Sequence, residues 1–304
     1  MLAPELGAAA PLPAAAPVFE TFGEGDLALC YRACGEIARV HSKTFYMSAL
    51  FLSAPQRRAV WAVYAFCRTA DDIVDRIAPA QDRLDAIDAW ERKLVAAYDG
   101  RTTDPIFVAF ADAARRFAIP IQPALDLLRG ARMDATVRRY ATYDDVREYC
   151  YLVASTVGLL VMPILGTLSP EAAGYGIALG RAMQMTNILR DVGEDARMGR
   201  IYLPAEDLRR FDVDEPAILT GIVDERFVAL MQFEIERVRA MYREAEPGIA
   251  LLAPRSRYTV RLALSLYRGI LERIEANGYD VFTRRAFVPF RAKLTTALTV
   301  AIAR

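Results

Sequence analysis

The chain has 304 residues, with Lys+Arg and Asp+Glu balanced at 38 each; nucleic-acid binding normally leaves a basic excess, so nucleic acid is not expected as a partner. Apolar residues make up 54%, enough for a sizeable core. One histidine, His41, and four cysteines without Cys-x-x-Cys spacing (Cys30, Cys34, Cys67, Cys150) argue against structural zinc and a disulfide framework, and suit reduced thiols in a cytosolic protein.

Residues 1–24 are rich in Ala and Pro and carry no Lys or Arg, which fits a disordered tail and not a secretory signal. Beyond them the period is helical. Leu27, Tyr31, Cys34 and Ile37 recur in helical steps. Ser53-Ala54-Pro55-Gln56 reads as a helix start, with Ser at the N-cap and Pro in the first turn, and that helix runs to about Arg76. Residues 82–98 set Leu84, Ile87 and Leu94 against Asp85, Asp88 and Glu91. Helices over 105–117 and 123–133 follow, then one over 143–168. Residues 149–170 hold 22 positions without a charge, long enough for a membrane span. Ser155, Thr156, Gly158, Pro163 and Gly166 interrupt the stretch, so a central core helix is the expectation. Ser169-Pro170-Glu171 opens a helix that reaches Asp195. Two more cover 224–245 and 256–277, the latter closed by Gly278. No strand alternation and no internal repeat occur. The pattern predicts one all-α domain of about ten helices over 25–304.

Two acidic motifs carry the chemistry. Asp71 and Asp75 are i and i+4, so their carboxylates share a helix face, with Asp72 turned about 100° away. Like charges at that spacing destabilise a bare helix, and an acidic helix end opposes the macrodipole. A cation reverses the sign. Asn187, Asp191 and Asp195 form a second stripe at i, i+4 and i+8, with Gln184 one turn earlier. Two such helices facing each other can hold Mg²⁺ around a diphosphate, which the metal neutralises as a leaving group. Donors for phosphate oxygens lie nearby: Arg68, His41-Ser42-Lys43, Arg197, Arg200 and Arg284-Arg285. An allylic cation needs a water-free site, and Phe45, Phe66, Val153, Val157, Gly158, Leu160 and Leu165 are candidate walls, with ordinary core packing as the alternative for each. Gly174-x-Gly176-x-x-x-Gly180 has the wrong spacing for a dinucleotide loop and suits close helix packing.

These residues resemble the squalene/phytoene synthase family of head-to-head prenyl transferases. Five segments carry the likeness: His41-Ser42-Lys43-Thr44-Phe45; Tyr64-Ala65-Phe66-Cys67-Arg68 running into Asp71 to Asp75; Tyr149-Cys150-Tyr151 with Thr156-Val157-Gly158; Gln184 to Asp191; and Gly199-Arg200-Ile201-Tyr202-Leu203-Pro204. The resemblance implies an isoprenoid-synthase-type helical bundle around a central apolar cavity. It implies that Asp71, Asp75, Asn187, Asp191 and Asp195 hold Mg²⁺, with Mn²⁺ as an alternative ion. Ser42, Lys43, Arg68, Gln184, Asn187, Arg200, Tyr267 and Arg285 would bind diphosphate. Tyr149 would lie beside the reacting carbons, and residues 199–204 would form a flap.

The wording of the chain is most like a bacterial phytoene synthase, which implies two geranylgeranyl diphosphates coupled through a cyclopropylcarbinyl diphosphate, without NADPH, in carotenoid biosynthesis. The alternatives are a dehydrosqualene or squalene synthase using farnesyl diphosphate, and a non-catalytic prenyl-binding scaffold. Intact acidic ligands disfavour the scaffold. A cytoplasmic enzyme is expected, with peripheral contact at the inner membrane face as an option. The oligomeric state stays open.

Overall fold

The computed structural model describes residues 24–76 and 80–302. Of the tail expected over 1–24, all but Glu24 lies outside the described residues. Fourteen α-helices make up the described chain, and no strand occurs among the described residues. In order they are α1 Glu24–His41, α2 Lys43–Ala49, α3 Ala54–Arg76, α4 Ala80–Tyr98, α5 Pro105–Phe117, α6 Gln122–Thr136 and α7 Tyr143–Cys150, then α8 Thr156–Leu165, α9 Ala172–Arg197, α10 Ala205–Arg210, α11 Glu215–Thr220, α12 Glu225–Ala245, α13 Pro254–Ala276 and α14 Phe290–Ile302. The surplus over about ten comes from α2, α10 and α11, each under two turns and so without a readable period, from α14, and from a break between α7 and α8.

Short-range chemistry starts the helices where the sequence points. Asp104 accepts from the Ile106 amide at 3.1 Å ahead of Pro105. Thr142 and Asp145 form a reciprocal capping box on α7. At the head of α3, Ser53 donates to Gln56 Oε1 at 2.8 Å, and Gln56 Nε2 in turn donates to the Ile164 carbonyl at 2.8 Å. That second bond ties the start of α3 to the end of α8.

Two apolar cores follow. One gathers residues of α7, α9, α12 and α13 around Tyr242, Phe227 and Leu189. The other gathers α3, α4, α5, α6 and α8 around Phe66, Phe107 and Phe110. The helix pair α8 and α9 joins them. Residues Tyr151–Ser155, between α7 and α8, form a π-helical turn that swings the uncharged segment against α9. There Ser155 Oγ donates to the Ile177 carbonyl at 2.8 Å.

Counted through the π-helical turn, the helical run Tyr143–Leu165 is long and apolar enough to cross a membrane by length and composition, with a mean hydropathy of 1.6 and 44% of its window buried. Its apolar character has two sources here. One face packs into the cores, and another, through Val153, Val157, Val161 and Leu165, walls an internal cavity. Beyond Glu148 charge is excluded on both counts.

The glycines of the dinucleotide look-alike are packing residues. A Cβ on Gly180 would meet Ser155 Cα at 2.5 Å, and one on Gly176 would meet Met162 Cε at 2.4 Å. Backbone cannot yield as a flexible side chain can. Gly180→Ala is therefore expected to cost about 1–3 kcal/mol in urea unfolding; unchanged stability would show that α9 does not seat against the π-helical turn.

Candidate active site

A cavity of about 370 Å³ opens between the two cores. Helical spacing selects its walls. From α3 come Val60, Tyr64, Cys67, Arg68 and Asp71, a stripe at i, i+4, i+7, i+8 and i+11. From α9 come Leu179, Met183, Gln184 and Asn187. Phe45, Val153, Val157, Gly158 and Leu165 also line it, as does Tyr267, a residue the family resemblance places on diphosphate. Phe66 and Leu160 do not. Phe66 lies about 200° around α3 from Tyr64, and its ring packs against Phe110 at 4.9 Å and Trp90 at 6.1 Å. Leu160 is fully buried in the second core, off the Val157–Val161 face of α8. Both are core residues, and their assignment to the cavity wall is corrected.

One end of the cavity is acidic. Asp71 is accessible at the cavity surface, yet protein surrounds it closely. That loss of bulk solvation pushes its carboxyl up to about 7, with Asp134, Asp75 and Asp72 adding to the rise and Arg68 opposing it. Asp195 is also pushed up to about 7, by burial first and then by Asp191, against the pull of Arg200. Asp134, on α6, is raised by burial to about 6, although hydrogen bonds from Tyr202 and Tyr149 favour its charged form. Asp134 thus stands between the acids of α3 and those of α9, raising the proton affinity of both Asp71 and Asp195.

Arginines offset part of this charge. Arg68 pairs with Asp72 one turn along α3. Arg190 Nε donates to Asp191 Oδ1 at 2.8 Å, and Arg285 Nη2 reaches the same oxygen at 3.1 Å and Glu194, through Nη1, at 3.4 Å. Arg200 crosses from beyond α9 to Asp75 at 3.5 Å. Gly199, at φ +72°, takes the left-handed turn that brings Arg200 back over the helix end, and the Arg200 amide donates to the Asp195 carbonyl at 2.9 Å. Asn187 Nδ2 donates to Gln184 Oε1 at 3.2 Å, which leaves Asn187 Oδ1 buried without a donor. Ser42 caps α2, accepting from the Phe45 amide at 3.3 Å, and Lys43 is exposed beside it. Tyr149 is buried and donates to Asp134.

Among the described residues no three or more acidic, His or Cys side chains are drawn together as a metal-holding group. The set nevertheless suits a hard cation. Asp71 and Asp195 repel their acidic neighbours, and Asn187 offers an unused buried oxygen; both are relieved by a divalent ion with oxygen preference.

The pattern of the squalene/phytoene synthase family matches residues 38–292, most of the chain. The chain belongs to that family. It is 43% identical over 291 residues to the 15-cis-phytoene synthase of Synechococcus elongatus, covering 92% of this chain and 94% of that one. It is 44% identical over 277 residues to the phytoene synthase of Arthrospira platensis, covering 87% and 90%. A crystal structure of a dehydrosqualene synthase in complex with ligand superposes with a TM-score of 0.86 at 32% identity, over 94% of this chain and 99% of that one. The all-helical isoprenoid-synthase fold expected of the family is the fold observed.

Sequence reading missed Asp134. One signal was available: it stands at i+7 from Leu127, the α6 residue that lines the cavity, and so on the same face. Its partners lie far off along the chain, which hid its role.

The raised carboxyls set a pH dependence. Asp71 and Asp195 bind protons in the folded protein up to about pH 7, whereas the unfolded chain releases them near 3.8. Their stabilising contribution is complete below about pH 4 and is lost as pH rises through about 7. Buried Glu234, pushed up to about 8, acts in the same direction. Thermal melting of the free protein is expected to fall from about pH 5 to about pH 8, with a smaller fall in Asp71→Asn; a rise over that window would contradict the electrostatics described.

Proposed function

We propose that this chain is a phytoene synthase that joins two geranylgeranyl diphosphates head to head in carotenoid biosynthesis. The observation that carries the reading is an apolar cavity with Asp71 in its lining and, beside it, Asp134, whose field also reaches Asp195 on α9. The choice of a C20 substrate is supported by near-full-length likeness to phytoene synthases.

In this reading the carbon–oxygen bond of one allylic diphosphate breaks, and the double bond of the second molecule attacks the resulting cation. Proton loss closes a cyclopropylcarbinyl diphosphate, which ionises again, rearranges and loses a proton to give the hydrocarbon. Arg68, Gln184, Asn187 and Tyr267 line the cavity and would meet diphosphate oxygens, and Ser42, Lys43, Arg200 and Arg285 would add to them. Asp71, Asp75, Asn187, Asp191 and Asp195 would hold Mg²⁺, with Mn²⁺ as an alternative, and the ions supply charge neutralisation to the departing diphosphate. The apolar walls keep water from the cation. Phe45 and Tyr64, stacked at 4.8 Å between centroids, offer ring faces beside Asp71. The enzyme would act in the cytoplasm and touch the inner membrane face, because its product is nearly insoluble in water.

A second reading uses farnesyl diphosphate, and the dehydrosqualene synthase likeness favours it. One assay separates them. The purified protein with Mg²⁺ and geranylgeranyl diphosphate, without NADPH, is expected to yield a C40 hydrocarbon. A C30 product from farnesyl diphosphate alone would move the assignment to the second reading, and no hydrocarbon from either substrate would refute both. Asp191→Ala is expected to lose about 10²–10³-fold in turnover with helicity and melting retained; full activity would remove Asp191 from the site.

A further inference from the structure

Asp134 differs from the other carboxylates at the acidic end. Both of its oxygens receive phenols. Tyr202 donates to Oδ1 at 2.8 Å and Tyr149 to Oδ2 at 3.1 Å. Three separate parts of the chain meet at this one side chain: α6, α7 and the segment that follows α9. The rings of Tyr149 and Tyr202 stack with centroids 5.1 Å apart, and Tyr140 closes against them at 5.4 and 5.7 Å.

The segment that carries Tyr202 also carries Arg200, the buried guanidinium that reaches Asp75. Its backbone is stitched to the stretch just beyond α6. The Ile201 amide donates to the Arg138 carbonyl at 3.1 Å, and the Ala205 amide donates to the Tyr140 carbonyl at 2.9 Å. Between those two backbone bonds, the Tyr202–Asp134 bond is the side-chain anchor. The carboxylate that receives it also holds Tyr149.

We propose that Asp134 is a positioning residue for the condensation: it latches residues 200–204 over the acidic end through Tyr202 and fixes the Tyr149 phenol in one orientation. The kinetic consequence rests on the prenyl-coupling reading; the latch rests on geometry alone. With an oxygen committed to each phenol, Asp134 organises the site and leaves the facing acids of α3 and α9 to meet the substrate's counter-ions. An ionised acceptor suits this task, because charge-assisted hydrogen bonds are shorter and stronger than neutral ones. An asparagine at 134 offers one acceptor oxygen and a donor in place of the second. One phenol must then turn its hydrogen away, and the stacked pair loses its shared anchor.

The test uses Asp134→Asn, Asp134→Glu, Tyr202→Phe, Tyr149→Phe and the Asp134→Asn/Tyr202→Phe double variant of the full chain. Amide hydrogen exchange in the free protein reads the latch without any substrate. Residues 200–204 are expected to exchange about tenfold faster in Asp134→Asn and Tyr202→Phe, and at the native rate in Tyr149→Phe. With geranylgeranyl diphosphate and Mg²⁺, Asp134→Asn is expected to lower kcat about 10²-fold, the order of loss that a misplacement of about 1 Å brings, with KM changed less than about threefold. Asp134→Glu, which keeps the charge and both acceptors, recovers part of the rate. The double variant is slower than Asp134→Asn by less than about threefold, because the two changes break one interaction.

Native exchange at 200–204 in Asp134→Asn and Tyr202→Phe would overturn the latch. Strict additivity of the kinetic losses, or a kcat within about twofold of native in Asp134→Asn, would overturn the positioning role. If the native protein makes no hydrocarbon, the functional reading fails, and the exchange rates alone decide on the latch.

Discussion

Carboxylates on three helices repel one another across the end of an apolar cavity, and the rest of the molecule holds them in place. Left to itself a chain would separate Asp71, Asp134 and Asp195. The two cores prevent that, because moving α3 or α9 apart would expose the buried aromatic and aliphatic side chains packed behind each acid. Arginine offsets the repulsion only in part. Arg68, Arg190, Arg200 and Arg285 pair with Asp72, Asp75 and Asp191. Asp71 and Asp195 keep raised proton affinities. The stored repulsion is what a cation and a diphosphate can relieve, so the site's affinity for its ligands and the free protein's pH sensitivity share one origin.

Water exclusion is the complementary constraint. The same helix that reads as a membrane-length apolar run forms part of the wall of the cavity that Asp71 lines. It can do so because the π-helical turn at Tyr151–Ser155 and the glycines at 176 and 180 let α8 and α9 approach closely. A polar residue at any of those wall positions would bring water toward the place where a carbocation must survive.

The acid pairs were legible in the sequence because helical spacing alone puts Asp71 beside Asp75 and aligns Asn187 with Asp191 and Asp195. The long helices were legible for the same reason. Two kinds of feature were not. Phe66 and Leu160 sit next to wall residues in the sequence, and only the packing of neighbouring helices shows that their faces turn into the core. Asp134 acquires its meaning from Tyr149 and Tyr202, which lie 15 and 68 residues away. The short helices α10 and α11 hold too few turns for periodicity to appear, yet they close the region around Arg200 and Tyr202.

Asp71 and Asp195 hold protons up to about pH 7 because burial and the neighbouring carboxylates outweigh the pull of Arg68 and Arg200. Calorimetric titration of the protein with Mg²⁺ and inorganic pyrophosphate at about pH 7, repeated in buffers of different ionisation enthalpy, counts the protons set free on binding. Two carboxyls half-protonated at that pH release roughly one proton together when a cation takes their place, and Asp71→Asn should release about half as many. Binding that leaves the measured heat independent of buffer would contradict the account.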